Sequence, residues 1–430
     1  MKIQFLGSAQ EVGRSCIVVN DWMLFDAGIK IGKGASEHPQ DFSEKDIKAV
    51  FISHAHLDHT GALPLLNHMG LRCVIYATKM TRAITKILLA DSIHIEEIKG
   101  QHPAYTEENI NNILSYFSYT DFNRWYEEKS INMRYKFYNA GHIPGSASIL
   151  VEFDDSNKGG QRRKIFYTGD INATDTNLMQ GLTYQKDKDL RNVDVMISET
   201  TYGGRDHPNR EEQENEFLKI ISYTLNNHGS VLIPAFAVGR SQEILLMLAK
   251  KNFNVPIYLD GMGKKVTDLC LNQNKFVRDG KAFRKAIDKV EYIKDHKQRK
   301  RIVQSQAIIV TTSGMMDGGP IMDYIKYFYH DKNNAILLTG YQAEESNGRR
   351  LLEHGYVEVD NKTYDVKAFV KKFDFSAHSG QKELIEMIKG INPKHLILNH
   401  GDPEEMNEFI LKLKSVKEIH VPVLGEVVRV

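Results

Sequence analysis

Residues 51–60, Phe51-Ile-Ser-His-Ala-His-Leu-Asp-His-Thr60, constrain this chain more than any other stretch. Three histidines and an aspartate (His54, His56, Asp58, His59) fall within six residues, directly behind the apolar run Ala49-Val50-Phe51-Ile52. An apolar run of that length reads as the end of a buried strand, with the polar segment emerging from it as a loop. His54 and His56 are two apart, so an extended backbone turns both imidazoles the same way, toward one metal ion. Asp58 and His59 follow once the chain begins to turn, and can face a second ion alongside. A lone histidine is most often a surface or satisfied core residue. A packed His-x-His-x-Asp-His behind a strand reverses those odds, and imidazole with carboxylate suits zinc.

At 430 residues the chain can hold two, even three, domains with a sizeable core. Hydrophobic residues at 41% and charged residues at 26% are those of a soluble globular protein. The formal net charge of +1 gives no global attraction for a polyanion, so a nucleic-acid site would have to be a local basic patch. Cys16, Cys73 and Cys270 lie far apart with no CxxC pair. That argues against a disulfide framework and a thiolate zinc site, and fits a reducing cytoplasm. The start, MKIQFLGSAQ, lacks the apolar core of a signal peptide, and no apolar run approaches the roughly 18 residues of a membrane span.

The opening reads as three strands, Lys2–Leu6, Ser15–Val19 and Trp22–Phe25, the last ending in Asp26-Ala-Gly28. On composition alone Asp26 is a turn residue. Residues 61–69 look like a short helix, Val74–Ala77 a strand, and 78–98 a helix. The aromatic stretch 106–130 reads as helical, its rings packed in the core. Strands ending in ligand-type residues recur at His142, Asp170, Glu199 and His400. From about 211 the texture changes to alternation of helices with the strands Ser230–Pro234, Pro256–Asp260, Ala307–Thr311 and Ala335–Thr339. That spacing predicts a parallel, three-layer α/β unit. The basic run Lys281–Arg301 reads as a solvated helical face. From Lys362 the chain returns to short strands, a helix and His395–His400.

Ligand-type residues at several strand ends are how a sheet edge gathers a site. Five histidines and two aspartates suffice for two metal ions, and two divalent ions against two carboxylates leave a positive site suited to a phosphodiester. His54-x-His56-x-Asp58-His59, preceded by Asp26 and followed by His142 and Asp170, resembles the metallo-β-lactamase superfamily. Glu199-Thr-Thr-Tyr-Gly203, Phe375-Ser-Ala-His378 and Leu398-Asn-His400-Gly-Asp402 resemble the three further motifs of its β-CASP branch, nucleases acting on RNA or DNA. The resemblance spans nearly the whole chain, with the motifs in order. It implies an α/β protein, a metallo-β-lactamase αββα sandwich (1–208 and 361–430) with an inserted three-layer α/β β-CASP domain (209–360), the site lying in the cleft between them.

By that resemblance His54, His56 and His142 bind one zinc, Asp58, His59 and His400 a second, and Asp170 bridges the two. Asp26 then orients a ligand histidine, which overturns the turn-residue reading. Asp58, His378 and Glu199 are the implied catalytic residues, with His378 facing the scissile phosphate and Glu199 raising its pKa and fixing its tautomer. A histidine at the position of His400 is a mark of the RNA-processing members. The segments Ile233–Arg240, Thr311–Gly319 and Thr339–Arg349 resemble the same members, including the endonuclease subunit of the eukaryotic pre-mRNA 3′-end complex and its archaeal and bacterial relatives. Two details depart from the common pattern, Thr-Thr after Glu199 and Asp402 after His400-Gly; neither removes a ligand.

The expected activity is zinc-dependent hydrolysis of single-stranded RNA, most simply endonucleolytic, in RNA processing or decay. Arg240, Ser313, Arg349 and Ser376 are candidate backbone contacts, because they lie in Gly-rich or strand-end loops. The setting could be a homo-oligomer or an RNA-processing complex. Three alternatives stand beside it. A 5′-to-3′ exoribonuclease would keep every motif, a glyoxalase II-type hydrolase would not need the inserted domain, and a non-catalytic subunit would show eroded ligands.

Overall fold

The computed structural model describes residues 1–31, 36–41, 43–66, 70–155, 159–184, 187–413 and 416–430. The chain divides into two units: Met1–Asp175, Gln180–Asp206 and Ala377–Val430 form the first, Thr176–Met179 and His207–Ser376 the second. The part of the 61–69 helix beyond Leu66 lies outside the described residues.

The first unit is built on two seven-stranded sheets. In one, the strands run in the order Val427–Arg429, Lys2–Phe5, Ile17–Val19, Met23–Phe25, Ala49–Phe51, Val74–Ala77 and Phe117–Tyr119. In the other the order is Glu418–His420, His395–Asn399, Val195–Glu199, Gln161–Tyr167, Ala147–Asp155, Met133–Asn139 and Trp125–Glu128. Strand periodicity explains the layers. Ala147, Ile149, Val151 and Phe153 alternate into a core shared by both sheets, together with Ile3, Phe25, Phe51, Ile165 and Ile397. Leu150, Leu396 and Leu398 point the other way, into a layer with Leu384, Ile388, Met406 and Phe409 of helices Gln381–Ile391 and Pro403–Lys412. Val50, Ile52 and Ile75 bury against Leu89 and Ile113 of helices Lys79–Ile98 and Glu107–Ser115. This is the αββα sandwich, with both sheets covered on both faces.

The second unit is a six-stranded, all-parallel sheet in the order Val290–Tyr292, Ile257–Asp260, Ile308–Thr311, Val231–Pro234, Ala335–Leu338 and Phe369–Lys372. Leu232, Ile309, Ile336 and Leu338 pack on Ile321, Tyr324 and Phe328 of helix Ile321–Phe328. Their neighbours of opposite parity, Val231, Ile233, Ile308 and Val310, are equally buried, as parallel strands with helices on both sides require.

Three expectations change. The stretch 106–130 is helical only over Glu107–Ser115; Phe117–Tyr119 and Trp125–Glu128 are edge strands, one in each sheet. Aromatic and β-branched side chains fit a pleated surface, and here that preference wins over helical spacing. Residues 361–376 stay with the second unit, because Phe369–Lys372 pairs in parallel with Ala335–Leu338. The basic run is not one helix: Gly280–Ile287 and His296–Ile302 flank the strand Val290–Tyr292. Among the described residues no helix is long and apolar enough to cross a membrane.

Candidate metal centre

The strand Ala49–Phe51 ends just before Ser53, and the chain then turns through His54 and His56 into the one-turn helix Leu57–Thr60. Two glycines let backbone pass close beside this turn. A Cβ on Gly28 would lie 1.6 Å from the Asp58 carbonyl oxygen, and one on Gly169, at φ +55°, would lie 2.6 Å from Ser53 Cβ. Gly169 delivers Asp170 from the end of strand Gln161–Tyr167. His142 follows strand Met133–Asn139, and His400, at φ +49°, follows His395–Asn399 with its N–H donated to Ser8 O at 2.8 Å.

The sequence separations collapse into two groups of ligand atoms, each with its members within 4.8 Å of one another: His54, His56, His142 and Asp170, and Asp58, His59, Asp170 and His400. Asp170 belongs to both. Its Oδ2 lies 3.5 Å from His54 Nε2 and 3.7 Å from His142 Nε2; its Oδ1 lies 3.3 Å from both His59 Nε2 and His400 Nδ1. His56 Nδ1 is 3.2 Å from His54 Nε2 and from His142 Nε2, and His400 Nε2 is 3.3 Å from Asp58 Oδ2. Four donors at 2.0–2.1 Å around a tetrahedral ion are roughly 3.3 Å apart, so these spacings fit zinc. His59 Nε2 and Asp170 Oδ1 are buried with no hydrogen bond. Buried polar atoms left bare are costly, and a cation between them removes that cost. The residues present fit a metal.

The supporting contacts fix the rings. Asp26 is fully buried and accepts from His59 Nδ1, Ser53 Oγ, Tyr167 Oη and Ser53 N, each at 2.7 Å. Its acceptance from Nδ1 leaves Nε2 of His59 to face the cluster. His142 Nδ1 donates to Ala377 O at 2.9 Å, which aims its Nε2 inward in the same way. Ser53 and Tyr167 are site residues that sequence reasoning missed. The one available signal was that Tyr167 stands at an inward-facing strand position, where a buried hydroxyl needs a partner.

Burial holds His54 and His142 well below the ordinary imidazole range and lowers His56, so their nitrogens present lone pairs. Burial would lower His59 and His400 as well, but Asp170 and then Asp58 outweigh it and both are raised. Burial likewise opposes ionisation of Asp58 and Asp170, yet His59 and His400 keep both carboxyls below their usual range. Before a cation enters, protons on His59 and His400 do the neutralising. A raised pKa keeps the proton to higher pH, and a metal ion must displace it. Zinc affinity is therefore expected to rise with pH, by up to tenfold per unit for each proton released. Competition titration between pH 6 and 8 measures this, and a pH-independent affinity would contradict it.

His378 and Glu199 meet beside the cluster. His378 Nδ1 lies 2.9 and 3.1 Å from the two Glu199 carboxylate oxygens, and its ring centroid is 4.5 Å from that of His142. Glu199 is itself fixed by the Ile171 N–H, which donates to Oε1 at 2.7 Å. Burial lowers the His378 pKa, but the Glu199 carboxylate more than reverses this and pushes it up to about 9. With 19% of its side chain exposed, His378 keeps a route to a ligand.

Of the candidate backbone contacts, Arg240 opens helix Arg240–Ala249 and Ser313 begins the loop after strand Ile308–Thr311, where its Oγ accepts from Asp317 N at 3.2 Å. The loops after strands Ile308–Thr311 and Ala335–Leu338 are tied together by Gln342 Nε2, which donates to Gly314 O and Gly340 O. Arg349 pairs with Glu353 on an open helix face. The Ser376 carbonyl accepts from Arg210 at 3.3 Å.

The Beta-Casp domain family matches residues 241–351, the Zn-dependent metallo-hydrolase RNA specificity domain matches 363–423, and the Anti-Pycsar protein Apyc1 family matches 1–201. A protein named probable RNase MJ4, from Methanocaldococcus jannaschii, is 39% identical over 100% of both chains. One named RNase aCSPSF2, from Saccharolobus solfataricus, is 35% identical over 98% of this chain and 83% of its own. A solved structure of a protein of unknown function from Enterococcus faecalis V583 shares the fold over 99% of both chains, with a TM-score of 0.59 at 14% identity. With relatives aligned along its full length and the His/Asp cluster intact, the chain belongs to the β-CASP family of metal-dependent ribonucleases built on the metallo-β-lactamase fold.

Proposed function

We propose that the chain cleaves single-stranded RNA internally, using two zinc ions held by His54, His56 and His142 on one side of Asp170 and by Asp58, His59 and His400 on the other. The observation that carries this reading is the division of Asp170, one carboxylate oxygen facing each histidine group and one of them bare. When bound, such a pair supplies positive charge at a phosphate oxygen and lowers the pKa of an attacking water. Asp58, with 29% of its side chain exposed, accepts that water's proton as its oxygen bonds to phosphorus. Glu199 holds Nδ1 of His378, leaving Nε2 to donate a proton to the departing O3′. The P–O3′ bond breaks; the upstream product gains a 3′-hydroxyl and the downstream product keeps a 5′-phosphate. Arg240, Ser313, Arg349 and Ser376 are proposed to position the RNA backbone. Resemblance of the chain's motifs to RNA-processing endonucleases supports cleavage inside a strand.

Circular RNA, linear 5′-phosphorylated RNA and linear 5′-hydroxyl RNA of the same sequence separate the modes. The expected result is cutting of all three; degradation restricted to the linear 5′-phosphorylated species would overturn the internal-cleavage reading.

The Glu199–His378 pair sets a pH limb. His378 donates only while protonated, so the reaction slows as pH rises through its pKa. Glu199→Gln removes the charge that raises this pKa and leaves burial to lower it. The basic limb of the kcat profile is expected to move down by at least about one pH unit, with a fall of about twofold or more at pH 8. An unmoved limb would contradict the assigned pairing.

A further inference from the structure

A second constellation of ligand-type side chains lies outside this centre. Strands His395–Asn399 and Glu418–His420 pair in parallel, His395 opposite Glu418 and Ile397 opposite His420. Side chains two apart on a strand, and those directly opposite across a pair, share one face of the sheet. His395, Glu418 and His420 therefore share a face, that of Ile397, which enters the core between the sheets. Their ligand atoms lie within 4.8 Å of one another. His400 follows the far end of the same strand, five residues from His395, or roughly 16 Å at 3.3 Å per residue.

The two imidazoles are unlike ordinary strand histidines. His395 Nδ1 and His420 Nε2 are buried atoms, and neither makes a hydrogen bond. His395 Nδ1 is only 2.9 Å from Glu418 Oε2, but the alignment of a hydrogen bond is missing. The rings lie nearly parallel, at 28° with centroids 5.8 Å apart. Two buried nitrogens without hydrogen bonds and a carboxylate oxygen, all within 4.8 Å of one another, are spaced to hold a cation. Arg163 and Asp194 also face the group; they are opposite in sign and 4.0 Å apart, so their effects on a cation largely offset.

We propose that His395, Glu418 and His420 form a further metal site, taking a divalent transition ion of the zinc class through two imidazoles and one carboxylate, with a fourth position open to water. Glu418–His420 is the outermost strand of its sheet, and the ion ties that edge to its neighbour. The site takes no part in RNA cleavage.

Full-length wild type and His395→Ala/His420→Ala are loaded with excess zinc, stripped of loose metal on a chelating resin, and analysed by elemental mass spectrometry alongside an RNA cleavage assay. The double variant is expected to carry one zinc fewer per chain and to cleave at the wild-type rate. Equal zinc in the two proteins overturns the proposal. So does loss of a zinc together with cleavage, which assigns the missing ion to the catalytic cluster. Glu418 is 59% exposed, so Glu418→Gln leaves the core untouched. Zinc titration against a fluorescent chelator is expected to show one site weakened at least tenfold in that variant; unchanged affinity at every site overturns the proposal. Because the readout is a difference between two proteins, it stands whatever the number of ions in the catalytic cluster.

Discussion

Replacement of Asp170 by Asn is expected to lower RNA cleavage by roughly 10⁴-fold or more, about 5 kcal/mol of transition-state stabilisation, and to empty at least one position of the catalytic cluster. The cause lies in the two oxygens. Oδ2 faces His54 and His142 while Oδ1 faces His59 and His400, so one carboxylate serves both groups. An amide keeps the size but offers a single oxygen and no charge. The effect spreads further, because Asp170 is the first of the carboxylates, ahead of Asp58, that raise His59 and His400 against the lowering caused by burial. Elemental analysis with single-turnover kinetics checks both parts. A variant that keeps its full metal complement and more than a tenth of wild-type activity would contradict the bridging role.

The second large effect is on His378. His378→Ala is expected to reduce kcat by between about 10²- and 10⁴-fold, the range of a general acid, while the metal content stays that of wild type. The distinction follows from position. His378 is hydrogen-bonded to Glu199 and sits tilted against the His142 ring; its ligand atom also lies within 4.8 Å of those of Glu199 and Asp170, but it belongs to neither of the two histidine groups that share Asp170. Cleavage of an RNA bearing a good leaving group at the scissile position should be much less sensitive to the change, since such a group needs no proton. Loss of metal in His378→Ala, or an unchanged kcat, would remove its assignment as proton donor.

The grouping at 54–59 was legible because its ligand-type residues are local: spacing alone places His54 and His56 together. Asp170, His142 and His400 come from strands far apart in the chain, and only the recurrence of polar residues at strand ends hinted at a shared edge. The residues that hold the ligands were less legible. Ser53 and Tyr167 act through hydrogen bonds to Asp26, and no pattern in a strand tells which buried tyrosine meets a carboxylate. The strands Phe117–Tyr119 and Trp125–Glu128 were hidden for a related reason. Each is an edge strand of 3 or 4 residues, too short for period-2 alternation to stand out against aromatic residues that also suit a helix. Phe369–Lys372 joins the sheet of the second unit through pairing with Ala335–Leu338, a long-range choice that a short Phe-Val-Lys-Lys segment does not announce.

The bridging role of Asp170 depends on how metal ions distribute around its carboxylate. Anomalous diffraction at the zinc absorption edge, from crystals of the zinc-loaded protein, locates each ion directly. The expected map has two peaks in the catalytic cluster, one among His54, His56 and His142 and one among Asp58, His59 and His400, each bonded to a different oxygen of Asp170. A single peak there, or two on the same side of that carboxylate, would contradict it.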